Sequence, residues 1–257
     1  MLPSRLAVAV WRRNFLSWRR YMASFIVSAL GGPIFYLIAI GYGVGRYVGE
    51  LDGVPYSEFL APGLVATAAM NSASFEATFG AYTRMAEQDT YTALLATPCT
   101  VADVVAGEVL WAGSKAVLGV ALVLLVTVGL GLMGGPFLGL PLALLLAVGF
   151  LSGLAFGALG MVVTAFAGSY NFFEYYFTLV ISVMFVFSGV FYPVDTLPAW
   201  GQGLAWMLPL THTVRPSRLL AAGHLDWQIA ADVVWLLVVT VVAFCVAERT
   251  VRRRLQQ

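Results

Sequence analysis

Charge is scarce in this 257-residue sequence. Asp, Glu, Lys and Arg make up 11% of it, and 14 basic against 13 acidic groups leave a formal net charge of +1. A soluble domain normally carries roughly 25% charged residues. The composition therefore excludes an ordinary water-surrounded core, and the neutral balance excludes a polybasic nucleic-acid face. Cys99 and Cys245 are the two cysteines, which give neither a disulfide framework nor a C-x-x-C metal site. His212 and His224 both fall in one polar connection. No H-E-x-x-H motif exists, and no apolar segment offers a His base to a nucleophile, which argues against an intramembrane enzyme. The phosphate-cradling G-x-x-x-x-G-K-[ST] loop is missing too. Gly113-Ser114-Lys115 has the wrong order, and Gly41, Gly43 and Gly45 lack a βαβ setting. With no repeat and no low-complexity segment, residues 1–257 read as one membrane domain.

Apolar sequence is abundant: 60% of residues are hydrophobic, 14% aromatic, and 26 are Gly. The expected fold is all-α and polytopic, with six transmembrane helices near 24–45, 58–80, 106–133, 137–166, 170–191 and 228–247. Each approaches the ~20 residues that a ~30 Å hydrocarbon layer requires. Gly31-Gly32-Pro33 should kink the first span. Gly134-Gly135-Pro136 should turn the third into the fourth, and Ala167-Gly168-Ser169 joins the fourth to the fifth. The basic flanks set the orientation. Arg5, Arg12, Arg13, Arg19, Arg20, Arg84, Arg249, Arg252, Arg253 and Arg254 lie on one side, against Arg46, Arg215 and Arg218 on the other. Both termini are therefore expected in the cytoplasm.

Residues 1–22 read as an amphipathic helix, not a secretory signal, since arginines run through them. Arg5, Arg12, Arg13, Arg19 and Arg20 gather on one side, and Leu6, Val10, Trp11, Phe15, Trp18 and Tyr21 on the other. Such a helix suits the headgroup boundary, with a solvated cytosolic helix as the alternative. Glu76 and Lys115 sit at matching depth in neighbouring spans and form a candidate buried ion pair; an ion pathway through Glu76 or Glu174 is the competing reading. Glu58 and Glu174 lie near span ends and can reach the interface. Gly149, Gly153 and Gly157 make a bare helix face for close packing, inside one chain or between two. Phe172, Tyr176, Phe187 and Phe191 fall along one ridge of the fifth span, either an interfacial belt or a substrate path. The connection 193–227, broken by Pro198, Pro209 and Pro216, should form short re-entrant or outer-leaflet helices. Trp200, Trp206 and His212 there are candidate outer-gate residues, against a plain interfacial cap. In the connection 84–105, Glu87, Asp89, Tyr91, Leu94, Leu95 and Pro98 read as a short helix offering apolar groups to a soluble partner.

Several long segments then carry a resemblance: WRRNFLSW at 11–18, GYGVGRYVGELDGVPYSEFLAPGLVATAAM at 41–70, SFEATFGAYTRM at 74–85 and ALLATPCTVADVVAGEVLWAGSKA at 93–116, with SGVFYPVDTLPAW and LPLTHTVRPSRLL between 188 and 220. In this order they resemble the ABC-type exporter permeases of the second type, and most closely the nodulation protein J family. The resemblance implies the membrane half of an ATP-driven exporter: a homodimer of permeases with two copies of a separate ATPase subunit. ATP and Mg would bind the partner, and no cofactor would bind this chain. Residues 1–22, with Arg12, Arg13 and Trp18, would be the family's interface helix. Glu87, Asp89, Tyr91, Leu94, Leu95 and Pro98 would belong to its coupling helix, and the stretch around Trp200–Leu220 to its re-entrant pair. An inner-membrane exporter of amphiphilic cargo (lipo-oligosaccharide, polysaccharide, lipid or drug) follows as the expectation, with an ion-coupled carrier as the alternative.

Overall fold

The long apolar segments are helical in the computed structural model, which describes residues 3–133 and 138–256. Among the described residues, four helical stretches are long and apolar enough to cross a membrane: Leu6–Val48, Val101–Gly129, Leu140–Phe166 and Trp227–Leu255. The first is composite. It joins α1 (Leu6–Trp18), a 3-10 turn (Arg19–Tyr21), α2 (Met22–Tyr36), a π-helical stretch (Leu37–Val44) and α3 (Gly45–Val48). The helix passes Gly31, Gly32 and Pro33 in α geometry, and its regularity changes only at Leu37, whose N–H is shared between Pro33 O and Ile34 O. A short hairpin follows, β1 (Glu50–Leu51) paired antiparallel with β2 (Val54–Pro55). Asp52 and Gly53 turn it with positive φ at both positions, as a tight two-residue hairpin turn demands.

α4 (Tyr56–Phe75) carries Glu58, Asn71 and three serines, and it falls outside the four apolar stretches. Most of its residues are buried, packed on α6 (Val101–Gly129), α7 (Leu140–Phe166) and α11 (Thr211–Ala221). A helix shielded from lipid by its neighbours needs no apolar surface of its own, so hydropathy under-reports it. After two π-helical turns (Glu76–Gly80 and Thr83–Glu87) comes α5 (Thr90–Leu95). α6 starts earlier than the expected residue 106, because Thr100 and Asp103 form a reciprocal capping box at its first turn. The expected fifth span is α8 (Phe172–Tyr176), a π-helical stretch (Phe177–Ile181) and α9 (Ser182–Phe187). α10 (Ala199–Met207) and α11 occupy the connection 193–227. α12 (Trp227–Leu255) begins on an Asp226 cap that accepts the Gln228 N–H at 3.1 Å, and it outlasts the expected boundary at 247. The turn expected at Gly134-Gly135-Pro136 lies outside the described residues.

One end of the bundle gathers both termini. Ser4 N–H donates to Asp103 Oδ1 at 2.5 Å, Tyr82 donates to the Gly168 carbonyl at 2.9 Å, and Arg254 Nη1 donates to the Thr164 carbonyl at 2.8 Å. The opposite end holds the hairpin, α10 and α11, where Tyr56 donates to Phe191 O at 3.0 Å and Arg218 to Gly189 O at 2.5 Å. These are called the terminal and distal ends below.

The glycine face of α7 is filled by α6 of the same chain. A Cβ on Gly149 would meet Val120, one on Gly153 would lie 2.4 Å from Ala116 Cβ and 2.8 Å from Gly113 Cα, and one on Gly157 would lie 2.8 Å from Ala112 Cβ. Gly107 likewise admits α1, since a Cβ there would sit 2.5 Å from Val10 Cβ and 2.8 Å from Ala7 O. The buried stripe of α1 is accordingly Ala7, Val10 and Asn14, on the expected apolar side with Trp11 and Trp18 half-buried beside it, while Leu6 and Phe15 are exposed. Gly153→Val should destabilise the purified protein by about 1–3 kcal/mol, the usual range for overpacking. Thermal unfolding in detergent checks this, with Gly168→Ala, where a Cβ meets open space, expected to match the wild type.

Candidate functional site

Four ionisable side chains form a continuous chain at the terminal end. Lys115 Nζ donates to Glu76 Oε2 at 2.8 Å, and Arg84 Nη2 lies 2.8 Å from Glu76 Oε1. Arg84 also grips Glu108 with both arms of its fork, Nε to Oε1 at 3.0 Å and Nη2 to Oε2 at 2.5 Å. The order Lys⁺–Glu⁻–Arg⁺–Glu⁻ is neutral overall. Helical spacing produces it. Glu108 and Lys115 are seven residues apart, two turns along one face of α6, and Glu76 and Arg84 are eight apart on the facing segment. Gly80 leaves room for the carboxylate, since a Cβ there would lie 2.6 Å from Glu76 Oε1. Glu108 is 1% exposed and Glu76 6%. At that burial a single unpaired charge costs several kcal/mol, so each member depends on the next.

α5 packs over this chain of charges without a hydrogen bond to it, the Tyr91 hydroxyl being buried there unpartnered. Asp89 adopts φ 49° and turns the backbone into the helix. Thr90 Oγ1 accepts from Arg13 Nη2 of α1 at 3.0 Å. Tyr91 is fully buried, and burial first, then the nearby Glu108 carboxylate, push its phenol well above the ordinary tyrosine range. This corrects the expectation that Tyr91 is displayed to a partner: the largest apolar group of α5 points inward as an anchor, because the buried charge network lies directly beneath it. Leu94 and Leu95 are half-buried against the core, whereas Glu87, Asp89, Thr92, Ala93, Ala96 and Pro98 are exposed. The outward surface of α5 is thus small and mildly polar.

The distal end has its own network. Asp232 of α12, fully buried, receives Arg215 Nε at 2.8 Å and Nη2 at 2.6 Å, and lies 2.6 Å from His212 Nδ1. His212 Nε2 is 3.0 Å from Trp206 O, its ring is 5.3 Å from that of Trp235, and the Arg215 guanidinium covers the Trp206 ring at 4.7 Å. Trp206 and His212 therefore meet. Trp200 does not join them: it is 67% exposed and faces Phe187 at 6.1 Å.

The four aromatics of the expected ridge do not share one surface. Phe172 is exposed, Tyr176 is buried with its hydroxyl 3.4 Å from Ser74 Oγ, and Phe191 packs on Phe185 and Tyr36 at 4.8 and 5.9 Å. The π-helical stretch at Phe177–Ile181 interrupts the regular spacing on which that alignment rested. On α1, Arg12 is exposed, Arg13 holds Thr90, and Trp18 packs edge-on to Trp111 and Phe25, each at 5.4 Å. Glu174 is exposed on α8. A cavity of about 570 Å³ opens between α2, α4 and Phe177, with Lys115 in its wall. Among the described residues, no group of three or more His, Cys, Asp or Glu could hold a metal ion.

Sequence reasoning missed Glu108, Asp232 and the part played by Arg84 and Arg215. The signals were present: Glu108 lies seven residues from Lys115, and His212 and Arg215 are three apart on one helix face. Arg84→Gln should leave Glu108 buried without its partner and cost about 3–5 kcal/mol. The double variant Arg84→Gln/Glu108→Gln should recover a large part of that loss, as read by thermal unfolding of the two purified proteins.

A family model described as ABC-2 type transporter matches residues 5–220. Nodulation protein J of Rhizobium leguminosarum bv. viciae is 41% identical over 250 residues, covering 97% of this chain and 95% of that protein. Nodulation protein J of Rhizobium meliloti (strain 1021) is 39% identical over 248 residues, covering 96% and 93%. The inner membrane transport permease YadH of Escherichia coli (strain K12) is 25% identical over 240 residues, covering 92% and 90%. A helical chain with apolar helices of membrane-crossing length, matched across most of its length, is a member of the ABC-2 type transporter family.

Proposed function

We propose that this chain is the membrane-embedded permease of an ATP-driven exporter in the inner membrane, moving an amphiphilic cargo outward. It works as a homodimer with two copies of a separate ATPase subunit that binds ATP and Mg, and binds no cofactor itself. As a single membrane domain it crosses the bilayer six times, with α4 and the segment 172–187 completing the set and the terminal end, rich in arginine, facing the cytoplasm. The cargo is taken as a lipo-oligosaccharide, polysaccharide, lipid or drug, the class that the sequence resemblance implies.

The observation that carries this reading is α5, a short helix at the terminal end held from beneath by Tyr91 and from the side by Arg13. Such a helix cannot tilt without moving the Tyr91 ring out of its packed place beside the charges. ATPase closure against its outward face is then passed through Arg84 to Glu76 and Lys115, and so to α4 and α6, as a rigid-body movement between two access states. Glu87, Asp89, Leu94, Leu95 and Pro98 frame the docking surface. α1 lies at the cytoplasmic boundary, and α10 and α11 line the exit, with Trp206 and His212 at a gate braced on Asp232. The carrier alternative is weaker, because both carboxylate oxygens of Glu76 are engaged by cations and Glu174 is exposed on α8.

Ala93→Arg changes the exposed face of α5 without touching the core. It should leave insertion and thermal stability unchanged while reducing ATPase capture and ATP-driven export in proteoliposomes at least tenfold. Wild-type export by the variant would remove α5 as the coupling element. Failure of any ABC ATPase to bind the wild-type protein would remove the exporter reading itself.

A further inference from the structure

The last turns of α12 carry Arg249, Arg252, Arg253 and Arg254, and two of these are engaged within the protein. Arg252 pairs with Glu248, one turn before it. Arg254 Nη1 donates to the carbonyls of Thr164, Ala165 and Ala167 at 2.8, 3.2 and 2.5 Å. Those carbonyls belong to the end of α7, where a helix leaves its last acceptors unpartnered and its dipole negative. Arg249 and Arg253 remain. Both are exposed, and neither has an acidic partner among the described residues.

Beside them lies a cavity of about 470 Å³, walled by residues 165–168 at the end of α7 and by Thr250, Arg253 and Arg254 of α12. A Cβ on Gly168 would meet nothing within 4 Å, so the rim has room for a bulky group. Arg254 already covers the α7 carbonyls, so an entering anion meets guanidinium groups and not a negative helix end. Thr250 Oγ1 is spent on the Val246 carbonyl at 2.9 Å, which leaves the arginines to hold the anion. A guanidinium fork matches the paired oxygens of a phosphate.

The surface next to the cavity is apolar. Val242, Val246, Arg249 and Arg253 succeed one another at helical spacing along a single exposed ridge of α12. From Val242 to Arg249 that ridge rises about 10 Å. Phe166 stands on the cavity wall and is 65% exposed. An apolar ridge that ends in two cations fits a ligand built in the same order, an apolar tail and then an anionic head. A soluble anion would leave the valines uncovered, and a zwitterionic lipid would bring its ammonium against Arg249 and Arg253. Basic pockets between helices at a membrane boundary hold anionic headgroups in this way.

We propose that α7 and α12 bind an anionic phospholipid at the terminal end, its phosphodiester on Arg249 and Arg253 and one acyl chain along Val242, Val246 and Phe166. This lipid belongs to the outer face of the bundle and is not the cargo. The assignment requires α12 to lie in a bilayer and does not depend on the export reading. Purified protein without an ATPase, in phosphatidylcholine nanodiscs, is photolabelled with diazirine-tailed phosphatidylglycerol and, separately, with diazirine-tailed phosphatidylcholine of equal chain length. The phosphatidylglycerol probe should label peptides carrying Phe166 or Val242 and Val246 more strongly than the phosphatidylcholine probe, by about fivefold or more. Arg249→Gln/Arg253→Gln should bring the two probes level. Arg12→Gln/Arg19→Gln, which removes two exposed arginines of α1, should keep the preference, and excess glycerophosphate should not compete. Equal labelling of the wild type by both probes overturns the proposal, as does a preference that survives Arg249→Gln/Arg253→Gln. An equal loss in both double variants also overturns it, since the cause is then the general positive field and not this site. Displacement by glycerophosphate would make it a site for soluble anions instead. Should Arg249→Gln/Arg253→Gln not fold, Arg253→Gln alone should at least halve the preference, and an unchanged preference there overturns the proposal.

Discussion

Two carboxylates and two cations between α6 and the segment that continues α4 must neutralise one another, because neither lipid nor a packed helix core will do it for them. Everything at the terminal end is arranged around that requirement. Arg84 is the hinge of the network, using one guanidinium to serve Glu76 and Glu108 together. Its planar fork matches a carboxylate in a way a lysine cannot. Gly80 exists as a glycine because the Glu76 carboxylate occupies the space of its side chain. Removal of any one member exposes the rest to the full desolvation penalty, so the four act as one unit.

That unit has two outlets. On one side it underlies Tyr91 and, beside it, the Arg13–Thr90 hydrogen bond, which fix a six-residue helix too short to be stable by itself. Toward the membrane it presents Lys115 to the cavity behind α2. The distal end repeats the device on a smaller scale, with Asp232 receiving both His212 and Arg215. There the buried carboxylate ties α11 to α12.

The all-α architecture was legible because apolar runs of twenty or more residues have few other ways to satisfy their backbone. α4 was legible as a segment but not by hydropathy, since its serines and Asn71 lower the average while other helices shield it. Depth counting placed Glu76 level with Lys115, whereas Glu108 escaped notice because it sits near a span boundary that Thr100 and Asp103 move outward. Asp232 was hidden within the first turns of an apolar helix, where an acid is easily taken for a cap. The inward turn of Tyr91 was illegible for a different reason: a tyrosine in a short polar loop has the same pattern whether it faces a partner or a buried charge. The aromatic ridge failed because π-helical stretches shift the angular spacing, and single residue types do not announce where a helix changes its register.

The central claim is that the four-charge network couples α5 rigidly to α6. Electron–electron distance measurement tests it directly, with spin labels on the cysteines of Thr92→Cys and Leu118→Cys in a background of Cys99→Ser and Cys245→Ser. The account predicts one narrow distance distribution in the wild-type network and a broad or shifted one when Glu108→Gln and Arg84→Gln are combined. An equally narrow, unshifted distribution in that variant would show that α5 is held by other contacts and contradict the account.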